Sequence, residues 1–444
     1  IRDDLVTGVQ TCALPISLLN SNFQSSMSSV TITQGGVSLA GSSVFTTANS
    51  STVSVQGGSL TMANTALMSV QQGASVSVSG GSVTATDQAS MTFDSNSSLS
   101  VSAGSMTLGS QSSASFSQSQ FSVSGGNFVT GGQATVSMSQ SSMGSISGGS
   151  VSIGGGSVMQ LASNSMVNVT GGNFVYTSTA TLSLGPTSGI SVQGGNFVAS
   201  LFSSLRTRRS FITVSSGSFS LLDHADLYAW YLSLTVSGGN LVLNTSAELV
   251  WTSCNTTVSG GNVDIINTNT TYLAATTMAI TNGSLVVSGD SAATFQSSSF
   301  SVSGGGVEFN TRASFSLLSS SQGLVSGGSV SLVNQAQLAI ASSSLQVSGG
   351  SFNARDASSV QLQPNASVSV QGGSFVMQGT STLVMQSTSS VSVSGTGNFS
   401  VSDQARVQAT TASISVSGGN VDLGSSTMLS LVLQSSMTVS GGSL

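Results

Sequence analysis

Apolar residues alternate with serine, threonine or glutamine along most of this chain, and a pair of glycines regularly interrupts the alternation. Segments such as VSVSGGSV (residues 76–83), ISVQGGNF (190–197) and LTVSGGNL (234–241) show both features. Alternation with a period of two is typical of β-strands that bury one face. The pattern therefore predicts short strands separated by turns.

The glycine turns recur at a nearly constant distance. The first turn position falls at residues 57, 80, 103, 125, 148, 171, 194, 216, 238, 260, 282, 304, 327, 349, 372, 396, 418 and 441. These 17 intervals cover 384 residues, and each interval is 22, 23 or 24 residues long. A fixed period of this length is the signature of a solenoid, in which each coil buries its apolar face against the next.

Each repeat contains three apolar stretches. Counting from the first turn position, residues −4 and −2 are apolar (Val76 and Val78), as are residues +3 and +5 (Phe375 and Met377). Positions +11 and +13 are large and apolar, while +7 is often a turn former such as Asp87. The sequence thus predicts an all-β parallel β-helix, or β-solenoid, with three short strands per coil of about 22–23 residues.

The constant register also predicts columns of identical side chains. Two phenylalanine columns are expected inside the solenoid and short asparagine ladders at its corners. The phenylalanines are Phe174, Phe197 and Phe219, then Phe352, Phe375 and Phe399, and the asparagine pairs are Asn173 with Asn196, Asn240 with Asn262 and Asn398 with Asn420.

The first 16 residues are expected to stand outside this fold. VTGVQTCALPI, Val6 to Ile16, resembles the conceptual translation of a sequencing adapter, so residues 1–16 are interpreted as an assembly artefact. Without Cys12, Cys254 is the remaining cysteine of the chain. Residues 17–444 are predicted to form a single continuous β-solenoid that is truncated at both ends, because the chain stops inside a repeat.

The composition limits the classes of partner. Charged residues make up 5% of the chain, all seven basic residues are arginine, and the net charge is −6. Nucleic acid is not expected as a partner, because phosphate binding requires many cations on one face. A run of about 18 apolar residues is missing from the sequence, so no membrane span is predicted in this fragment.

The period and the alternation resemble those of right-handed parallel β-helices. This group includes pectin-lyase-like enzymes and the passengers of bacterial autotransporter adhesins. The resemblance covers residues 30–444 and implies the fold class and an extracellular or cell-surface location. It transfers no functional residue to this chain.

No catalytic cluster is visible in the sequence. Glycan-cleaving enzymes require acidic residues grouped on one face, whereas the acids here are scattered and several share corner position +7. These are Asp87, Asp223, Asp356 and Asp403, which are interpreted as turn residues. The single histidine, His224, lies beside Asp223 but lacks any recognisable nucleophile motif. We expect neither an enzyme, nor a metal site, nor a cofactor.

The segment RTRRS, residues 206–210, holds the densest group of charges. Positions +12, +14 and +15 of its coil are Arg206, Arg208 and Arg209, and the same positions of the next coil are the aromatic residues Tyr228, Trp230 and Tyr231. Since +11 and +13 point inward, +12 and +14 are predicted to lie outside, arginine beside aromatic. Two interpretations stay open: a patch that binds a ligand or partner, and local stabilisation of one coil.

The leading hypothesis is an extracellular structural or adhesive rod-like repeat protein without catalysis. Its expected partner is a glycan, a surface or another protein, and its exposed strand edges predict end-to-end self-association. The alternatives are a polysaccharide-acting β-helix enzyme and an ice-binding β-solenoid, the latter because the outward columns −3 and −1 are rich in hydroxyl groups.

Overall fold

The described residues are entirely β-structure and turns. A computed structural model of the chain describes residues 5–6, 9–12, 16–268 and 270–443. The chain divides into two compact units, Ile1–Asp226 and Leu227–Leu444, and each is described by itself. In both units the architecture is a parallel β-solenoid with three short strands per coil, as the alternation predicts.

Strands β1–β30 belong to the first unit, in which each coil contains three strands. In chain order they are Leu5–Val6, Val9–Cys12, Ile16–Leu19, Asn22–Ser26, Ser29–Ile32, Gly36–Ala40, Val44–Ala48, Thr52–Val55, Ser59–Met62, Leu67–Val70, Ser75–Val78, Ser82–Ala85, Ser90–Phe93, Ser98–Val101, Ser105–Leu108, Ser113–Ser117, Gln120–Val123, Asn127–Thr130, Thr135–Ser139, Met143–Ser147, Ser150–Ile153, Val158–Leu161, Met166–Thr170, Phe174–Tyr176, Thr181–Leu184, Gly189–Gln193, Phe197–Ala199, Ser204–Arg208, Phe211–Ser215 and Phe219–Leu221.

Strands β31–β59 follow in the same order, and β31 starts at the last residue of the first unit. They are Asp226–Trp230, Ser233–Ser237, Leu241–Asn244, Glu248–Thr252, Asn255–Ser259, Val263–Ile266, Thr270–Ala274, Thr277–Thr281, Leu285–Ser288, Ala292–Gln296, Ser299–Ser303, Val307–Phe309, Ser314–Leu318, Gln322–Ser326, Val330–Leu332, Gln337–Ala341, Ser344–Ser348, Phe352–Ala354, Ser359–Leu362, Ser367–Gln371, Phe375–Met377, Thr382–Met385, Ser390–Ser394, Phe399–Val401, Arg406–Thr410, Ser413–Ser417, Val421–Leu423, Met428–Val432 and Ser436–Ser440.

Within each unit, every strand pairs in parallel with the strand three places later. This generates three sheets per unit, called A (β1, β4 and so on), B (β2, β5 and so on) and C (β3, β6 and so on). In sheet B, for example, Val76 pairs with Leu99, 23 residues later. The repeat length read from the glycine turns is therefore the residue count of one coil.

The adapter-like segment, residues 6–16, lies partly outside the described residues. Its described part contains β2, whose Val9 pairs with Ser29 of β5. Pairing does not reveal where a sequence came from, so the interpretation as an artefact stays a prediction. The single continuous solenoid predicted for residues 17–444 stays a prediction as well.

The interior is formed by inward residues that stack like on like. In the first unit the rings of Phe174 and Phe197 lie 5.2 Å apart, and those of Phe197 and Phe219 lie 4.8 Å apart. In the second unit Phe352, Phe375 and Phe399 form an equivalent stack. Stacked aromatic pairs contribute about 0.5–1.5 kcal/mol beyond the area they bury. Both predicted phenylalanine columns are confirmed.

The two glycines of each turn have different roles at the corner between sheets B and C. The first position needs a left-handed backbone, since Gly148 has φ +82° and a Cβ there would meet open space. A Cβ on the second glycine, Gly149, would overlap the carbonyl oxygen of Gly126, its equivalent one coil earlier. The second glycine is therefore required by the close approach of the two backbones.

The predicted asparagine ladders follow this glycine corner. Asn196 Nδ2 donates to Asn173 Oδ1 at 3.3 Å, which is an amide to amide bond. At the Asn398 and Asn420 pair the backbone N–H of Asn420 donates instead to Asn398 Oδ1, at 3.1 Å. The ladders are confirmed, with a side-chain donor in the first pair and a backbone donor in the pairs of Asn240 with Asn262 and Asn398 with Asn420.

Buried serines form hydrogen bonds between successive coils at the corner between sheets A and B. Ser321 Oγ donates to Leu318 O at 2.6 Å, lies 2.9 Å from Phe295 O, and accepts the N–H of Ser298 at 3.2 Å. Cys254 takes the equivalent place, where its sulfur accepts the N–H of Leu232 at 3.4 Å. These side chains satisfy backbone groups that the corner would otherwise leave unpaired.

Candidate functional site

The arginine half of the predicted patch lies on the outer surface of the first unit. Arg206 and Arg208 are exposed on β28, where they alternate with the buried residues Leu205 and Thr207. Arg209 follows at the corner with a left-handed backbone, φ +51°. The outward direction predicted for these positions is confirmed.

The aromatic half lies on the second unit. Trp230 and Tyr231 are 44% and 58% exposed, unusually high fractions for aromatic residues of this chain. Tyr228 is half-buried and its hydroxyl donates to Glu248 Oε2 at 2.6 Å. That bond links Tyr228 to its own unit, which agrees with a stabilising role for this one residue.

The two halves belong to different units, so their contact stays a prediction. Each half faces outward as expected, and each is described on its own unit. The interpretations of a binding patch and of local stabilisation both stay open.

The corner aspartates serve as turn residues. Asp87, Asp223, Asp356 and Asp403 all adopt left-handed backbones, with φ between +51° and +62°. Asp87 Oδ2 accepts the N–H of Asn64 at 3.0 Å, and Asp403 Oδ2 accepts that of Gly379 at 3.1 Å. The carboxylates of Asp87 and Asp403 thus satisfy backbone donors of the preceding coil, which agrees with their interpretation as turn residues.

His224 stacks on an exposed phenylalanine. Its ring lies parallel to that of Phe202, with centroids 4.8 Å apart, at the corner between sheets C and A of the first unit. Phe202 is 64% exposed and its neighbour Leu201 48%, and both have left-handed backbones. Bulky residues rarely occupy that conformation. This corner therefore combines a strained backbone with exposed apolar side chains.

Asp290 and Arg312 form an ion pair on the second unit. Arg312 Nη2 donates to Asp290 Oδ2 at 2.7 Å, and the bond lowers the pKa of Asp290 below its usual value. The side chains are 65% and 63% exposed, so solvent screens the attraction and its contribution to stability is small.

A polar groove follows the corner between sheets C and A in the first unit. It is open to solvent, has a volume of about 610 Å³ and crosses four coils, from Asn64 and Thr65 to Gly132 and Gln133. Three glutamines form a ladder along it: Gln88 Nε2 donates to Gln111 Oε1, and Gln111 Nε2 to Gln133 Oε1, each at 3.4 Å. This ladder was not predicted from the sequence, although position +8 is glutamine in three consecutive coils.

The described residues form neither a cluster of metal ligands nor a membrane-spanning helix. In the part of the chain that the structure describes, histidine, cysteine and acidic residues do not gather in groups of three or more that could hold a metal ion. The same part of the chain contains no helix long and apolar enough to cross a membrane.

Comparison with known proteins assigns no family. Neither a protein-family model nor a curated protein matches this chain. The parallel β-solenoid is shown by its strand pairing, whereas a place among pectin-lyase-like proteins or autotransporter passengers, and the right-handed sense, stay predictions.

Proposed function

We propose that this protein is an extracellular or cell-surface β-solenoid with a structural or adhesive role and without catalysis. The observation that supports the proposal is the repetition of one neutral surface from coil to coil. In sheet B of the second unit, Ser390, Ser392 and Ser394 of β53 lie beside Ser413, Ser415 and Ser417 of β56. Such a surface offers many equivalent weak contacts, which suits adhesion by multivalency.

The fate of the acidic residues also favours a role without catalysis. Asp87 and Asp403 bond backbone N–H groups of the preceding coil, and Asp290 is engaged by Arg312. Carboxylates held in such contacts stabilise the coils, and their spacing follows the repeat. A polysaccharide-acting enzyme would instead need two carboxylates facing one bond of the substrate.

Adhesion of coated beads tests the proposal. Beads carrying the purified chain should adhere to cellulose, chitin or cell surfaces, and should release no soluble sugar from polysaccharides over time. Arg206→Ser with Arg208→Ser tests the arginine half of the patch, and Arg355→Ser with Arg406→Ser is the control, since both are exposed on other coils. Loss of adhesion in the first variant alone would assign the patch a binding role. Beads that adhere to nothing, or a steady release of sugar, would contradict the proposal.

Ice binding is a second candidate, supported by the same hydroxyl columns. The columns continue into β59, where Ser436, Thr438 and Ser440 lie beside the serines of β56. Regular hydroxyl rows about 4.8 Å apart across strands offer a repeated array to ordered water. Thermal hysteresis of the purified chain, removed by replacing Ser392 and Ser415 with lysine, is the expected result.

A further inference from the structure

The groove at the C–A corner of the first unit has a rigid backbone. Backbone N–H groups of Gln88, Gln111 and Gln133 donate to carbonyls of the preceding coil at 2.9, 2.8 and 2.6 Å. Each bond fixes a glutamine one coil, about 4.8 Å, from the next. The three side chains are exposed, so the groove presents a preformed row of amides to solvent.

The amides of this row have bonding capacity left over. A glutamine side chain has two N–H donors and an oxygen that accepts two bonds. Within the ladder Gln111 uses one donor and one acceptor site, in bonds of 3.4 Å that are long for this class. A ligand that offers both donors and acceptors can therefore add bonds to the row, or replace its weak internal bonds at small cost.

The residues that precede the glutamines in the groove add an acceptor and a negative charge. Asp87 uses Oδ2 for the N–H of Asn64 at 3.0 Å, which leaves Oδ1 as an acceptor for a ligand hydroxyl. The residues that line the groove include this carboxylate and no cation. An anionic ligand is therefore disfavoured, and a neutral ligand rich in hydroxyl groups is favoured.

The spacing of the row restricts the shape of the ligand. A coil rise of about 4.8 Å is close to the length of one pyranose ring in an extended polysaccharide. A straight neutral chain can consequently place one sugar beside each coil and offer a hydroxyl group to each amide of the row. A chain that curves would lose this register after one or two sugars.

We propose that the groove lined by Gln88, Gln111, Gln133 and Asp87 binds an extended, neutral polysaccharide of β-linked hexopyranose. The proposal rests on the proposed adhesive function and deepens it by naming a ligand class. It also differs from the arginine half of the patch, since the groove contains no cation.

Titration calorimetry with defined sugars tests the proposal. The probes are cellohexaose and mannohexaose as straight neutral chains, maltohexaose as a curved neutral chain, and a hexamer of galacturonate as a straight anionic chain. The full chain should bind the straight neutral probes best. Gln88→Ser with Gln111→Ser should weaken that binding by about tenfold or more, because at least one hydrogen bond is lost per site.

The control variant is Gln335→Ser. Gln335 occupies the same corner position on the second unit, between Arg312 and Ala357 of the adjacent coils instead of between glutamines. Gln335→Ser should leave sugar binding unchanged. The melting temperatures of both variants should match that of the parent chain, which excludes unfolding as the cause of weaker binding.

Three results would overturn the proposal: no binding of either straight neutral probe, equal binding of the Gln88 and Gln111 variant, or preference for the galacturonate hexamer. Failure of the adhesive function is separable from these. Beads that fail to adhere while the chain still binds cellohexaose would refute the function and keep the site. Adhesion to cellulose that persists in the glutamine variant, together with unchanged binding of cellohexaose, would refute the site alone.

Discussion

A Cβ on Gly149 would overlap the carbonyl oxygen of Gly126, the equivalent residue one coil earlier. The adjacent Gly148 faces open space and is needed for its backbone, φ +82°. Two neighbouring glycines are thus required for separate physical reasons. The second position is glycine in each of the 18 turns of the sequence. The first position is glycine in most of these turns, and it is alanine, serine, asparagine or threonine in the others.

We predict that Gly149→Ala destabilises the chain more than Gly148→Asn. The methyl group at 149 forces two backbones apart, at a cost of about 2 kcal/mol or more. Asparagine at 148 should cost less than about 1 kcal/mol, because it tolerates the left-handed region, and Asn282 already occupies that position with φ +53°. Urea denaturation of both variants measures the difference, and equal midpoints would refute the division of roles.

We predict that Ser321→Ala destabilises the second unit by about 1–3 kcal/mol, the range for leaving buried partners unpaired. The substitution removes the acceptor of the Ser298 N–H and the donor to Leu318 O. Ser389→Ala is the matched control, because Ser389 lies at the same A–B corner position and its hydroxyl is buried without a hydrogen-bond partner among the described residues. Its place in the coil is alanine in the preceding repeat, at Ala366.

The control should be neutral or slightly stabilising in the same denaturation experiment. Removal of an unsatisfied buried hydroxyl relieves a desolvation cost and keeps the packing of the Cβ. If both alanine variants lose the same stability, the serine column acts through packing and not through its hydrogen bonds.

The three-strand coil and the core residues could be predicted from the sequence because they depend on a repeated pattern. Alternation fixed which residues point inward, so the stack of Phe174, Phe197 and Phe219 could be predicted without coordinates. Ser321 could not be singled out, because serine is also the commonest outward residue and its burial depends on corner geometry. The regular spacing of Gln88 and Gln111 is present in the sequence. The groove beside them depends on the direction in which the side chains of two corner residues point, and the spacing does not give that direction.

Cys254 is predicted to react slowly with thiol reagents in the folded chain. Its thiol is buried and accepts the N–H of Leu232, and burial raises the pKa of this thiol. The fraction of reactive thiolate at neutral pH is therefore reduced. In a Cys12→Ser chain, labelling with a chromogenic disulfide should reach completion only in denaturant, whereas fast labelling of the native protein would contradict the buried position.

Tyr176 is predicted to make the first unit sensitive to alkali. Its side chain is fully buried, its hydroxyl accepts the N–H of Leu182 at 2.6 Å, and it donates to the carbonyl of Ser204. Burial is the main cause that raises the pKa of this hydroxyl above its usual value. Above about pH 10, the usual pKa of tyrosine, the unfolded chain loses this proton while the folded chain keeps it.

The sign of the effect follows from the protons bound in each state. The folded state holds more protons above about pH 10, so the free energy of unfolding falls as the pH rises and is unaffected by this group below that value. Tyr176→Phe should lower the free energy of unfolding at pH 8, because the Leu182 N–H loses its acceptor. Between pH 8 and pH 11, however, the free energy of unfolding of this variant should decline less than that of the parent chain. Urea denaturation at both pH values measures the two slopes, and because the two proteins differ only at residue 176, the difference between the slopes isolates Tyr176. Parallel slopes would show that Tyr176 ionises in the folded chain as easily as in the unfolded one.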